Sequence, residues 1–438
     1  MGFLYVLASG ERIDRGSAPV RAAWEIERLA ALKGWPTGEM IGSEASLRER
    51  LKVSRETLRE AIRIVEGRGA MRMRRGRSGG LMLVCPTIER TAASLAAYLR
   101  VAGLAPEQFA QCVHGLDQLL AWQLVRKPGE LPPRRRREGL RHWLARASGR
   151  QTYQIYISAL DKLAPPASDT QGLPAGLERA LAERDPAAFV SALAEVPFRP
   201  SPTLLDTAEF GTHARAGLIA MRMVECARCR QTDNLGNEAS LCEEFVASRS
   251  LVRQALRILQ DLDLIEVRRG RGGGYMLKQP SPIGIIRQLF AWLAARNCCP
   301  LALNELLWDL HAANLWLAGE RLAAMPAAER NLHCDRFTRI VTKLRGQERF
   351  ISLQHALARV ADCPMIDTLA RCVVSYQARS YGDFPDGDVS PVFDMLERMI
   401  VAALRTGDVN LAEQALRELQ DRAYEIRLGS FGLAVAAE

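Results

Sequence analysis

IGSEASLRERLKVSRETLREAIRIVEGRGAMRMRRGRSGGLMLV, residues 41–84, returns further along the chain as LGNEASLCEEFVASRSLVRQALRILQDLDLIEVRRGRGGGYMLK, residues 235–278. The two stretches align without a gap at an offset of 194, with 20 identities in 44 positions. The identities include Glu44 to Leu47 against Glu238 to Leu241, and the pairs Ser54/Ser248, Arg55/Arg249, Arg59/Arg253 and Arg63/Arg257. A glycine-rich turn closes both, with Gly76/Gly270 and Gly79-Gly80/Gly273-Gly274. Self-similarity at this length marks a repeated folding unit.

Each stretch reads as helix, turn, helix, hairpin. Leu47, Leu51 and Val53, then Leu58, Ile62 and Val65, follow the helical spacing of apolar residues. Ser54 and Ser248 are N-cap residues for the second helix. Gly69 suits the left-handed position beyond that helix, where the second stretch has Asp263. Strands are expected at Met71–Met73 and Leu81–Val84, and at Ile265–Val267 and Tyr275–Leu277.

Arg55, Arg59 and Arg63 are four residues apart and so line one helical face, as do Arg249, Arg253 and Arg257. Arginines on an exposed helix suit guanine edges and phosphates in a major groove, and Thr57 adds a small contact. Arg75 and Arg77, with Gly76 and Gly79, would let the turn approach a phosphate backbone or minor groove, as would Arg269 and Arg271 with Gly270 and Gly273.

Charge placement agrees. The formal net charge is +9 over 438 residues. Residues 41–84 hold 11 Arg and Lys against 5 Glu, and residues 235–278 hold 7 against 6 acids. The two stretches thus carry +7, and the other 350 residues are nearly neutral. Localised positive charge points to a polyanion partner, and the first stretch is expected to dominate its affinity.

The motif E-A-S-L-x-E, then S-R-x-x-x-R-x-A-(I/L)-R and R-R-G-R-x-G-G, resembles the winged-helix domain of the GntR family of bacterial regulators. The helical segments that follow resemble the ligand-binding domain of its FadR-like branch. The resemblance implies a mainly α chain: two winged helix-turn-helix domains, each followed by an antiparallel all-α bundle, as a tandem duplication. The expected domains are 17–85, 87–198 (a shortened bundle), 207–279 and 281–438. It also implies double-stranded DNA as partner, with base or phosphate contacts by Arg55, Thr57 and Arg59, and by Arg249, Leu251 and Arg253. Ala45 and Ala239 stand where the family usually has an arginine, so one contact is missing from each segment. The expected function is transcriptional repression by an intramolecular pseudo-dimer. A further homodimer and a small-molecule effector are left open. A ligand-independent architectural DNA binder is the alternative.

Helices are expected before each stretch, at Val20–Lys33 and Phe210–Ala227. After the second stretch they are expected at Ile283–Arg296, Leu301–Ala323, Ala327–Leu344, Phe350–Ala361, Met365–Tyr381, Val392–Thr406 and Val409–Arg427. A second echo pairs Leu140 to Arg146 with Leu353 to Arg359 at an offset of 213, about 19 residues more than the first. In the family such bundles hold a carboxylate through a metal with one aspartate and three histidines. Only His355 matches; Ile351, Glu397 and Leu419 stand at the other positions. Copy one keeps Glu138 and His142. No metal and no cofactor is therefore expected, and His142, His311 and His355 are candidate effector-pocket residues, with His142 and His355 read first as hydrogen-bonded core histidines.

The ten cysteines are scattered, several within apolar helical patterns, which suits reduced thiols. No apolar run of about 18 residues is present, and no basic residues precede the short apolar start, so a cytoplasmic protein is expected. With no nucleophile–base constellation, no phosphate loop and no lysine in a cofactor context, enzymatic activity is not expected.

Overall fold

The computed structural model of the chain describes residues 18–74, 76, 79–126, 131–135, 138–163, 174–196, 198, 212–268, 270, 273–279, 282–296, 300–381 and 391–430. Among them are nineteen helices and two small sheets, so the protein is mainly α. No helix of the described residues is long and apolar enough to cross a membrane.

In chain order, the first segment runs α1 (Ala18–Leu32), β1 (Met40–Gly42), α2 (Glu44–Leu51), α3 (Arg55–Gly67), β2 (Met71–Arg74) and β3 (Gly80–Leu83). Six helices follow it: α4 (Ile88–Ala102), α5 (Pro106–Arg126), α6 (Leu140–Ala147), α7 (Gln151–Leu163), α8 (Ala175–Glu183) and α9 (Pro186–Ala194). The second segment repeats the first as α10 (Thr212–Cys229), β4 (Asn234–Gly236), α11 (Glu238–Glu244), α12 (Arg249–Asp261), β5 (Ile265–Arg268) and β6 (Gly274–Leu277). Seven helices then end the chain: α13 (Ile283–Ala295), α14 (Pro300–Ala324), α15 (Ala327–Lys343), α16 (Gly346–Ala361), α17 (Pro364–Tyr381), α18 (Pro391–Thr406) and α19 (Val409–Ser430). Among the described residues no helix lies between α5 and α6, whereas the 17-residue α15 lies between α14 and α16.

The helices assemble into two compact units: residues up to 105 with 123–299, and residues 106–122 with 300 onward. These units do not coincide with the divisions expected near residues 86, 200 and 280. Burial of apolar helix faces, rather than chain order, decides which helices share a core.

The first unit contains both segments. Ile26 on α1 and Leu58 and Val65 on α3 are completely buried, as is Val252 on α12. Ser54 caps α3 by accepting the Thr57 N–H at 3.1 Å, and Ser248 caps α12 in the same way through Leu251 at 3.4 Å. Beyond the helices, Gly69 takes φ 74° and Asp263 φ 58°. The sheets have the orders β1-β3-β2 and β4-β6-β5, all antiparallel. Their registers agree at the same offset of 194: Met40 faces Met82 and Arg74 faces Gly80, while Asn234 faces Met276 and Arg268 faces Gly274.

Strands β1 and β4 were not anticipated. Three residues are too few for an alternation to be legible. Their presence explains one repeated glycine. A Cβ on Gly80 would lie 2.5 Å from the Gly42 carbonyl oxygen, and one on Gly274 would lie 2.6 Å from that of Gly236. Only glycine lets the outer strand approach so closely.

The two segments meet inside this unit. Arg68, just past α3, is buried and donates from Nε to Asp261 Oδ2 at the end of α12, at 2.8 Å. Its remaining nitrogens bond Asp261 and Glu27 of α1. Glu27 and Asp261 are also buried. The two carboxylates hold the Arg68 guanidinium charged against the cost of burial, so its pKa is raised. On the exposed edge of the same contact, Arg257 of α12 donates to Glu60 of α3 at 3.1 Å. Helix α13 packs against α4 and α1. Arg296, just past α13, donates to the Pro86 carbonyl at 3.0 Å and stacks 4.1 Å from the Trp292 ring centroid.

In the second unit, the 25-residue helix α14 packs against α16, α17 and α19, and α18 pairs with α19. Residues 106–122 of α5 join this core: Cys112 lies 3.8 Å, Sγ to Sγ, from Cys363, both buried and neither in a disulfide.

Breaking the Arg68 triad leaves two buried carboxylates without a counter-ion. Arg68→Ala should therefore cost about 3–5 kcal/mol in denaturant unfolding, whereas replacing all three residues by apolar ones should cost much less. A loss below about 1 kcal/mol for Arg68→Ala would show that the triad does not join the segments.

Candidate nucleic-acid interface

Helix α3 presents Arg55 and Arg59 at its exposed N-terminal end, and a single carboxylate organises both. Their Nε atoms donate to Glu44 Oε1, the first residue of α2, at 3.3 and 3.1 Å. In the second segment the Nε atoms of Arg249 and Arg253 donate to Glu238 Oε2, the first residue of α11, at 3.1 and 2.9 Å. The arginine side chains remain 65% and 51% exposed in the first segment and 72% and 47% in the second. Because Nε makes these bonds, the terminal Nη donors are left for an external acceptor, the fork that suits guanine O6 and N7 or a phosphate. Partial burial opposes ionisation of Glu44 and Glu238. Hydrogen bonds and charge from the paired arginines outweigh it and hold both carboxyls below the usual range.

Neither glutamate was singled out from the sequence. Each is 11 and 15 residues before its two arginines and identical in the two segments, which was the available signal. Thr57 is half-buried, and its Oγ1 accepts a hydrogen bond from Ser54 Oγ at 2.9 Å. Leu251 holds the equivalent place on α12.

The third arginines diverge. Arg63 is exposed with no acid partner among the described residues, while Arg257 is committed to Glu60. Arg257, expected to line the DNA-facing side with Arg249 and Arg253, thus meets an acid of the first segment instead. Its partner Glu60 has Gln254 as counterpart, so the symmetric bond to Arg63 does not arise. In the hairpin turns, Gly76 and Gly270 take φ 120° and 108°, and each accepts from the glycine three residues on, Gly79 or Gly273, at 2.9 Å. Arg75, Arg77, Arg269 and Arg271 lie outside the described residues.

The three histidines are divided between the two units. His142 is in the first unit and bonds Asp161. Glu138 is not its companion: it accepts from Arg146 at 2.8 and 2.7 Å, and those bonds, opposed by burial, lower its pKa to about 2. His311 and His355 belong to the second unit. His311, on α14, is buried beside Trp308 and Phe350 with ring centroids 6.0 and 5.4 Å away, and neither ring nitrogen has a partner. Both amide atoms of buried Gln354, and Oδ1 of buried Asn314, are also without partners. Burial, then the nearby His355, pushes the His311 pKa down to about 3. Burial, then the charge of Arg371, takes His355 to about 4. Among the described residues His355, unlike His142, has no hydrogen-bond partner, where a bonded core histidine was expected. Among the described residues no three His, Cys, Asp or Glu side chains converge as a metal site.

The chain matches no family model, and no curated protein matches it significantly.

Above pH 6.5 His311 and His355 are neutral folded or unfolded. Below it the unfolded chain takes up protons that the folded protein resists until about pH 3 and 4. Stability should therefore fall by about 1.4 kcal/mol per pH unit for each histidine as pH drops from 6.5 towards 4. Urea unfolding of His311→Leu at pH 7, 6 and 5 should give a shallower fall than the parent, and identical slopes would count against it.

Proposed function

We propose that this chain is a sequence-specific DNA-binding transcriptional regulator of the GntR type, FadR-like branch, acting as a repressor in the bacterial cytoplasm. Each segment is a winged helix-turn-helix reader, and the chain is a tandem duplication of reader and helical bundle. The observation that carries this is the repeated clamp: one glutamate at the start of the first reader helix holds two exposed arginines at the start of the second. Concentration of +7 of the net +9 in the two readers supports it. So does the shared register of their sheets, which positions both glycine turns alike.

Two readers joined by buried ion pairs within one chain make an intramolecular pseudo-dimer. Their half-sites need not be identical, because Thr57 faces Leu251 in the alignment and the first reader is more basic. The unpartnered polar atoms of His311, Asn314 and Gln354, all buried in the second unit, support an uncharged effector with hydrogen-bonding groups there, since ring and amide atoms offer both donors and acceptors. An architectural DNA binder would use the same readers and respond to no effector.

Selection of random-sequence DNA on the purified chain should enrich one asymmetric site. On that site Arg55→Ala or Arg59→Ala should cost about 1–3 kcal/mol, and Arg253→Ala less, by fluorescence anisotropy. Failure to enrich any sequence would remove the reading, and equal losses in the two readers would remove their ranking.

A further inference from the structure

Beside the paired reader helices the first unit holds a cavity of about 1080 Å³, walled by the C-terminal half of α3, by α4 and by α12. Six cations and three acids line it. Three of the cations are neutralised: Arg68 by Asp261 and Glu27, Arg257 by Glu60, and Arg253 by Glu238.

Arg63, Arg90 and Lys162 are not. Arg63 and Lys162 have no acid partner among the described residues. Arg90 is half-buried and donates only to backbone carbonyls, to Gly67 at 2.9 Å and Glu66 at 3.0 Å. Burial pushes its pKa down, as expected for a cation lacking a counter-ion. Of the acids, Asp261 is taken by Arg68, and Glu66 accepts the Met73 N–H at 2.8 Å. Glu89 stands exposed. Ala93, Ser94, Ala97 and Gly217 line the cavity with small groups, leaving room for a ligand body.

We propose that this cavity is an effector site for a small dianion, a phosphate monoester or a dicarboxylate, held by Arg63, Arg90 and Lys162. Paired anionic oxygens match the guanidinium fork, and Lys162 supplies a point charge. Occupancy would act on DNA binding through two shared elements. Arg63 faces the cavity while belonging to the candidate DNA face, so a bound anion withdraws its charge from phosphates. It also wedges between α3 and α12, whose relative placement sets the spacing of the readers. The coupling is reciprocal: bound DNA weakens the anion by the same factor.

The probes are inorganic pyrophosphate and succinate, each titrated calorimetrically into the full chain at constant ionic strength. One of them should bind saturably at one site per chain, and which one does so separates the phosphate from the dicarboxylate source. Lys162→Gln and Arg90→Gln should each weaken it by about tenfold, the loss of one charge-assisted contact. In anion-free buffer Lys162→Gln should leave DNA affinity unchanged. Absence of saturable binding by both anions, or binding undiminished in Lys162→Gln, would overturn the site. Arg90→Gln also removes bonds at the end of α3, so Lys162→Gln is the deciding variant. The site does not depend on the regulator reading. Anion binding without DNA binding would leave it standing and remove that reading, and DNA binding without anion binding would do the reverse.

Discussion

The contact on which the first unit depends is the buried guanidinium of Arg68 between Glu27 and Asp261. Three charges out of water are costly, and they are tolerable only because each meets an opposite charge through hydrogen bonds. That requirement is directional. At the offset of 194 the counterparts of Glu27, Arg68 and Asp261 are Met221, Leu262 and Gly67. Two first segments facing each other would bury Arg68 against Gly67, and two second segments would bury Asp261 against Leu262. Only the pairing of unlike segments neutralises the charge, so this interface distinguishes first from second although their backbones follow the same plan.

The same asymmetry runs outward from that point. Arg257 bonds Glu60 across the two helices, while its equivalent Arg63 has Gln254 opposite and stays available. One arginine of an apparently equivalent pair becomes part of the joint between segments and the other remains a surface cation. The clamps of Glu44 and Glu238 are far enough from the joint to escape this, and they retain the same geometry in both segments.

Much of this was legible beforehand. Helix α14 was expected at Leu301–Ala323 and spans Pro300–Ala324, and the strand ends fall within a residue of expectation. Apolar spacing, serine caps and glycine turns are local signals, and local geometry obeys them. The misses share a cause. Strands β1 and β4 are too short to carry a period. The Glu44 clamp spans 11 and 15 residues, beyond one helical turn. His311 is a buried, unpartnered imidazole whose ring neighbour Phe350 comes from another helix.

By itself the sequence determined the repeated element order, the caps, the position of the glycine turns and the uneven distribution of positive charge, because each depends on residues near one another in the chain. Tertiary structure alone decided which helices share a core, that Arg68 meets residues 41 and 193 positions away, and that Arg257 and Arg63 part company. Those outcomes depend on which charge finds a partner when two surfaces are desolvated together. The pattern of either surface read singly does not contain that information.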